Sequence, residues 1–361
     1  MLKQNYEELK KRKKILSAVD VLGSFDFLTY TISLDSLNLN DIKILLDVKN
    51  ISQSEINYKY RKVFCLAVHE YTHFVDASST IWGINHLYLM NEAYLSSDSY
   101  KRDPEEFYKA KKFHTHITKI KYPKYYNVIG KVGNSFPWGA TPTMGLLFGA
   151  DGKLTDEGIV FMRFFTVSGN EIARTPISAV SILEASAMAN EIFAKVSFVN
   201  MLNREDLILA NKDLHDEVMS FLYNKELTEY SACVHMLANQ QQCKDVLQAF
   251  YLVLLLTKIV LNATESVFNK ILELNIFKEI FQIKDEESTH YIRIKHGLIY
   301  KNMGMLYYLL VSGLPENSYL TPDLAIKSVS ISLSKLGLDI DFIKQSSSEE
   351  FNKKCDEIET L

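Results

Sequence analysis

Cysteine is scarce in this sequence. Four residues in 361, Cys65, Cys233, Cys243 and Cys355, are too few to staple a chain of this length. That excludes a disulfide-framework protein and favours reduced thiols. Long apolar runs are also lacking. The most apolar segment, AFYLVLLLTKIVL from Ala249 to Leu261, is interrupted by Lys258. It falls short of the roughly 20 residues that a membrane span requires, and reads as a buried helix. No sign of charge dominates. A net charge of −4 exerts no global pull toward nucleic acid or an anionic membrane. The basic run Lys10 to Lys14 carries no interleaved aromatic residues, so it reads as the solvated face of a polar helix over residues 3–16. The first residues show no apolar stretch of signal-peptide length. The expectation is a cytoplasmic protein with no membrane span and no nucleic-acid partner.

Glycine and proline are unevenly spread. Nine of the 14 glycines fall between Gly83 and Gly169, and five of the seven prolines between Pro104 and Pro176. That region reads as loops and short strands. Phe25 to Leu34 alternates like a strand, and Phe113 to Tyr122 does the same, placing His114 and His116 on one strand face. Met144 to Val167 reads as two strands around a turn at Asp151-Gly152. Asp41 to Val48 fits strand or helix. Helical spacing runs from Ser52 to Ala77, with Asn50 or Ser52 as its cap. After Pro176 the chain reads as helix: one over residues 177–199, then about 205–223, 228–270 with breaks, 291–312 and 321–336, and a loose helix in the tail. With 47% hydrophobic residues, the chain can bury a large core. Strands early and helices late predict a predominantly helical α+β fold.

The stretch FCLAVHEYTHFVDASS, Phe64 to Ser79, carries His69, Glu70 and His73 in the pattern His-Glu-x-x-His. Residues four apart share a helix face, so the two imidazoles can reach one metal ion. Zinc accepts histidine nitrogen at about 2.0–2.1 Å. Glu70 lies about 100° round the helix, away from that pair and placed to take a proton from water. The competing view is a core helix whose histidines are satisfied by hydrogen bonds. The apolar flanks and uncharged spacers Tyr71 and Thr72 favour the metal.

A catalytic zinc keeps three protein ligands. Asp76 shares the face but sits about 10.5 Å along the axis from His69, which makes it a surface or supporting group. The metzincin pattern fails, because its glycine and third-ligand positions hold Asp76 and Ser79. Glu184, in SILEASAMANE, is the stronger candidate, because Ala185, Ser186 and Ala187 let its helix lie close; His86, Glu171 and Glu191 stand behind it. Here the sequence resembles the gluzincin clan of zinc metallopeptidases, over about residues 55–195. The resemblance implies a zincin-like catalytic core with a small sheet, residues 1–200, and a helical region, residues 201–361, packed on it. It implies zinc held by His69, His73 and Glu184, Glu70 as general base, and a protein or peptide substrate. It also implies an edge strand, at Ile159 to Val167, that receives the substrate. Met188 stands where many members carry an acidic residue that supports a ligand.

Other readings remain open at this stage. Glu70-x-x-His73 and Glu287-x-x-His290, with Glu184 among lone glutamates, could form a di-iron helix-bundle site; the segment around His290 reads as loop and strand, which weighs against it. The chain could also be a non-catalytic regulatory or binding protein, or a hydrolase of small molecules. Candidate donors to a developing oxyanion are His235, Tyr230, His290, His114 and Arg174, none of them singled out by a pattern.

Overall fold

The computed structural model describes residues 23–46, 58–96, 104–131, 136–149, 151–241, 243, 245–316 and 321–359. The expected helix at 3–16 and the caps Asn50 and Ser52 lie outside the described residues. In chain order the elements are β1 (Ser24–Asp26), β2 (Thr31–Ser33), α1 (Leu39–Leu46), α2 (Tyr58–Ser79), α3 (Ile81–Leu95), α4 (Pro104–Ile120), β3 (Val128–Ile129), β4 (Gly139–Phe148), β5 (Leu154–Phe165) and β6 (Glu171–Pro176). Helices follow: α5 (Ala179–Asn200), α6 (Arg204–Leu222), α7 (Thr228–Gln241), α8 (Val246–Leu261), α9 (Glu265–Leu274), α10 (Phe277–Ile280), α11 (Thr289–Ile299), α12 (Met303–Gly313), α13 (Pro322–Lys335) and α14 (Ile340–Glu359). The fold is predominantly helical α+β with two small antiparallel sheets.

The larger sheet has the order β3-β6-β5-β4. β4 and β5 meet around the expected turn, where Gly152 adopts φ +76°. Successive side chains of β5 point to opposite faces. Val160, Met162 and Phe164 join the main core, while Ile159 and Phe161 pack with Tyr122 and Tyr126 on the other side. β5 is therefore an interior strand, hydrogen-bonded to β4 and β6. Its backbone groups are engaged on both sides, which overturns the expectation that Ile159 to Val167 forms a substrate-receiving edge.

Four other expectations are corrected. Phe25 to Leu34 is not one strand: a turn closed by Tyr30 N–H to Asp26 O at 2.7 Å splits it into β1 and β2. Asp41 to Val48, for which strand and helix both stood open, is helix as far as Leu46 in α1 and is not among these corrections. Phe113 to Tyr122 belongs mostly to α4. Proline opens that helix and Glu105 and Glu106 occupy its first turn, two start signals that outweigh the local alternation. The segment around His290 is a turn followed by α11, capped by Ser288. The 291–312 helix is in fact two, broken where Lys301 takes φ +55° and Asn302 caps α12.

The packing that matters most for function is α2 against α5. α5 begins at Ser178, whose hydroxyl and backbone exchange hydrogen bonds with Ser181. Its middle is built of small buried residues, Ala185, Ser186, Ala187 and Ala189, which permits a close approach. α2 ends at Ser79 and α3 starts at once, with Thr80 accepting from the Gly83 N–H at 3.1 Å. A Cβ at Gly83 would lie 2.3 Å from the Ala77 carbonyl oxygen, so only glycine allows this tight corner. One core runs from Phe25 to Ile343 and takes in α5, α7, α8 and α12. α8 is buried within it, and no single described helix is long and apolar enough to cross a membrane.

Candidate metal centre

The spacing of His69 and His73 places both rings on the α5-facing side of α2, with centroids 5.0 Å apart. Glu184 comes across from α5. Its Oε2 lies 3.4 Å from His69 Nε2 and 3.6 Å from His73 Nε2. These separations are long for hydrogen bonds. They are close to the roughly 3.3 Å edge of a tetrahedron whose corners lie about 2.0–2.1 Å from a central zinc. Among the described residues this is the single group of three or more His, Cys, Asp or Glu whose donor atoms can share an ion, all lying within 4.8 Å of one another.

The surroundings are dry. Side chains of His73 and Glu184 are 3% and 5% exposed. Glu184 Oε2 and His73 Nδ1 are buried with no hydrogen-bond partner among the described residues. Such orphaned atoms are costly unless something completes them, and a cation at the centre of the three donors completes Glu184 Oε2. Burial alone would raise the Glu184 pKa, but the imidazoles of His73 and His69 hold it down at about 2. Burial likewise opposes a charge on His69. The carboxylates of Glu184 and Glu191 outweigh it, and the imidazole pKa sits well above its ordinary value. The centre therefore demands positive charge, whether a proton or a metal ion supplies it.

Glu191 explains how His69 is set. Its Oε2 accepts from His69 Nδ1–H at 2.9 Å. A proton fixed on Nδ1 leaves Nε2 with its lone pair toward Glu184. Glu191 thus stands one turn beyond Met188, doing what an acidic residue there would do. It was expected only as an alternative ligand. The spacing of seven between Glu184 and Glu191 puts both on one face of α5, a signal available in the sequence.

Glu70 is 5% exposed. Burial raises its pKa, and His69 and His73 pull back part of that rise. Gly23, immediately before β1, packs directly on it: a Cβ there would lie 2.9 Å from both Glu70 Cγ and Oε1. Nothing in the sequence pattern singles out Gly23.

No family model, curated protein or solved structure matches this chain. The site must be read from its own geometry.

The other candidates lie elsewhere. His86 is fully buried, donates to the Phe27 carbonyl at 2.9 Å and meets His116 at 3.1 Å. His114 is exposed on α4, because a spacing of two on a helix separates side chains that a strand would align. Asp76 is not a surface group: it is wholly buried and ion-paired with Lys258 of α8. Glu171 pairs with Arg163 at 3.1 Å. His235 donates to the Leu222 carbonyl at 2.8 Å and stacks on Trp138. Arg174 lies over the Phe161 ring at 5.2 Å. Tyr230 is half-buried on α7, and Glu287 and His290 are exposed beside the start of α11. Glu287 and His290 take no part in the three-donor group, so the structure does not assemble the di-iron set.

Proposed function

We propose that this protein is a zinc-dependent metallopeptidase. The observation that carries the reading is one carboxylate oxygen, Glu184 Oε2, lying at tetrahedral-edge separations from two imidazole Nε2 atoms, with a second buried acid, Glu70, on the same helix as the imidazoles. Two nitrogens and one oxygen form a donor set that suits zinc and leaves a coordination position open. A zinc ion held there supplies a Lewis acid that polarises a scissile carbonyl and acidifies a water. His69, His73 and Glu184 hold the ion. Glu70 takes the proton from the attacking water at a carboxylate oxygen and can later deliver it to the leaving amine. The dry setting strengthens each of these electrostatic interactions. The substrate is a protein or peptide in this reading.

Metal analysis by mass spectrometry on protein purified without added metal tests it. The expected result is about one zinc per chain, lost in His73→Ala and in Glu184→Ala, and retained in Glu70→Gln, which no longer cleaves peptides. Absence of metal in the parent, or metal that persists in both ligand variants, overturns the assignment. Iron in place of zinc would point to a facial-triad oxidative centre instead.

A further inference from the structure

Beyond His69 the hydrogen-bonded groups continue. Glu191 gives one oxygen to His69 Nδ1–H and the other to Lys195 Nζ at 2.7 Å. Lys195 sits one helical turn further along α5 and is 13% exposed. Its ammonium also donates to Glu217 Oε1, again at 2.7 Å. Glu217 belongs to α6, is 46% exposed and faces Arg61 of α2 at 3.9 Å. One chain of charges thus links the proposed ion to a helix that supplies no ligand and carries no other part of the site.

Charge balance gives this chain a purpose. Three carboxylates, Glu70, Glu184 and Glu191, crowd the two imidazoles. A divalent ion and one ammonium neutralise those three. Without Lys195, Glu191 loses the 2.7 Å contact that holds its carboxylate in place and is left to swing away from His69 toward solvent. A displaced Glu191 no longer fixes the Nδ1–H tautomer that points Nε2 at the metal.

We infer that Lys195 is a positioning residue for the metal centre, and that α6 helps set the metal affinity through Glu217. This rests on the metal reading given above. Neither residue touches the ion or a substrate. Among the described residues His73 has no counterpart to this support, since its Nδ1 lacks a partner there.

The test is zinc affinity, measured with the full chain and zinc ion alone by competition against a chelator of known strength. Lys195→Met is expected to weaken binding about 10-fold, the lower end of the cost of losing an outer partner of a metal ligand, because it loosens Glu191 rather than removing it. Lys195→Arg restores it, because a guanidinium bridges the same two carboxylates. Glu217→Gln, half-exposed and safe for folding, weakens it less, by a few-fold. Nitrogen NMR of the zinc-loaded parent should show His69 protonated at Nδ1 and bound through Nε2, and Lys195→Met should blur that assignment. Zinc binding by Lys195→Met as tight as the parent's overturns the inference while leaving the metal site standing. Unchanged affinity in Glu217→Gln overturns the part assigned to α6. A parent that binds no zinc overturns the metal reading itself and this inference with it.

Discussion

Two pairs of neighbouring histidines, each with one ring buried and one half-buried, lie in this protein, and they behave in opposite ways. His69 and His73 sit 5.0 Å apart, centroid to centroid; His86 and His116 sit 5.2 Å apart. The first pair faces Glu184 and Glu191, and His69 is pushed toward carrying charge. The second pair faces a carbonyl, its own partner and aromatic rings. Burial lowers the His86 pKa, and burial with the charges of His86 and Lys119 takes His116 down to about 4. His86 spends its ring proton on Phe27 O, so its Nδ1 accepts from His116 and the pair is satisfied as neutral imidazoles. A metal centre is therefore not made by histidines close together. What sets the first pair apart is a carboxylate oxygen that converges on both of its rings, which the second pair lacks among the described residues.

The largest test of this contrast removes a ligand. Glu184→Ala should abolish zinc binding, whereas His116→Ala should leave about one zinc per chain by mass spectrometry. Zinc lost from His116→Ala, in protein still folded by circular dichroism, would erase the distinction between the pairs. Next comes the general base. Glu70→Gln should lower kcat about 10²- to 10⁴-fold on any peptide the parent cleaves, with zinc content unchanged.

The third test uses pH on the metal-free protein. His116 has a folded pKa near 4 against its ordinary 6.5. Its contribution is present above 6.5 and is lost as the pH falls through that window, because the unfolded chain binds the proton first. The full loss amounts to about 3 kcal/mol. The difference in unfolding free energy between parent and His116→Gln, followed from pH 7 to pH 4, should shrink accordingly. His69 has the reverse sign. Its folded pKa is raised, so its stabilisation is present below 6.5 and fades as the pH rises through the folded value. A parent-minus-variant difference that stays flat between pH 7 and pH 4 would show that His116 is not buried neutral. The smallest effect is expected at Gly23→Ala, where the new methyl presses on Glu70. We expect about a tenfold fall in kcat with zinc retained, below the hundredfold that a full 1 Å displacement costs. Equal kcat in parent and variant would mean that Glu70 yields without leaving its working position.

Much of this was legible in the residues alone. His69 and His73 at a spacing of four can share a face only on a helix, and the apolar neighbours made α2 a helix. Glu184 followed from the small residues around it. The α8 segment showed itself as buried through its apolar density and Lys258. The misreadings share a cause. Phe113 to Tyr122 alternates over a few residues, but proline and two acids at 104–106 had already started a helix there. Ile159 to Val167 was rightly read as a strand, yet its neighbours in the sheet come from other parts of the chain, and they made it interior.

What the sequence determined by itself is the donor chemistry: two imidazoles and an acid on one helix, with a glutamate downstream in a small-residue setting. Local spacing sets those relations, and backbone periodicity carries them without help. Only the tertiary structure decided which acid meets which nitrogen. Glu191 reached His69, Asp76 went to Lys258, and Gly23 closed over Glu70. Each of these depends on where two distant segments come together. A hydrogen bond or an ion pair holds only within about 3–4 Å, a distance that packing fixes and sequence separation does not.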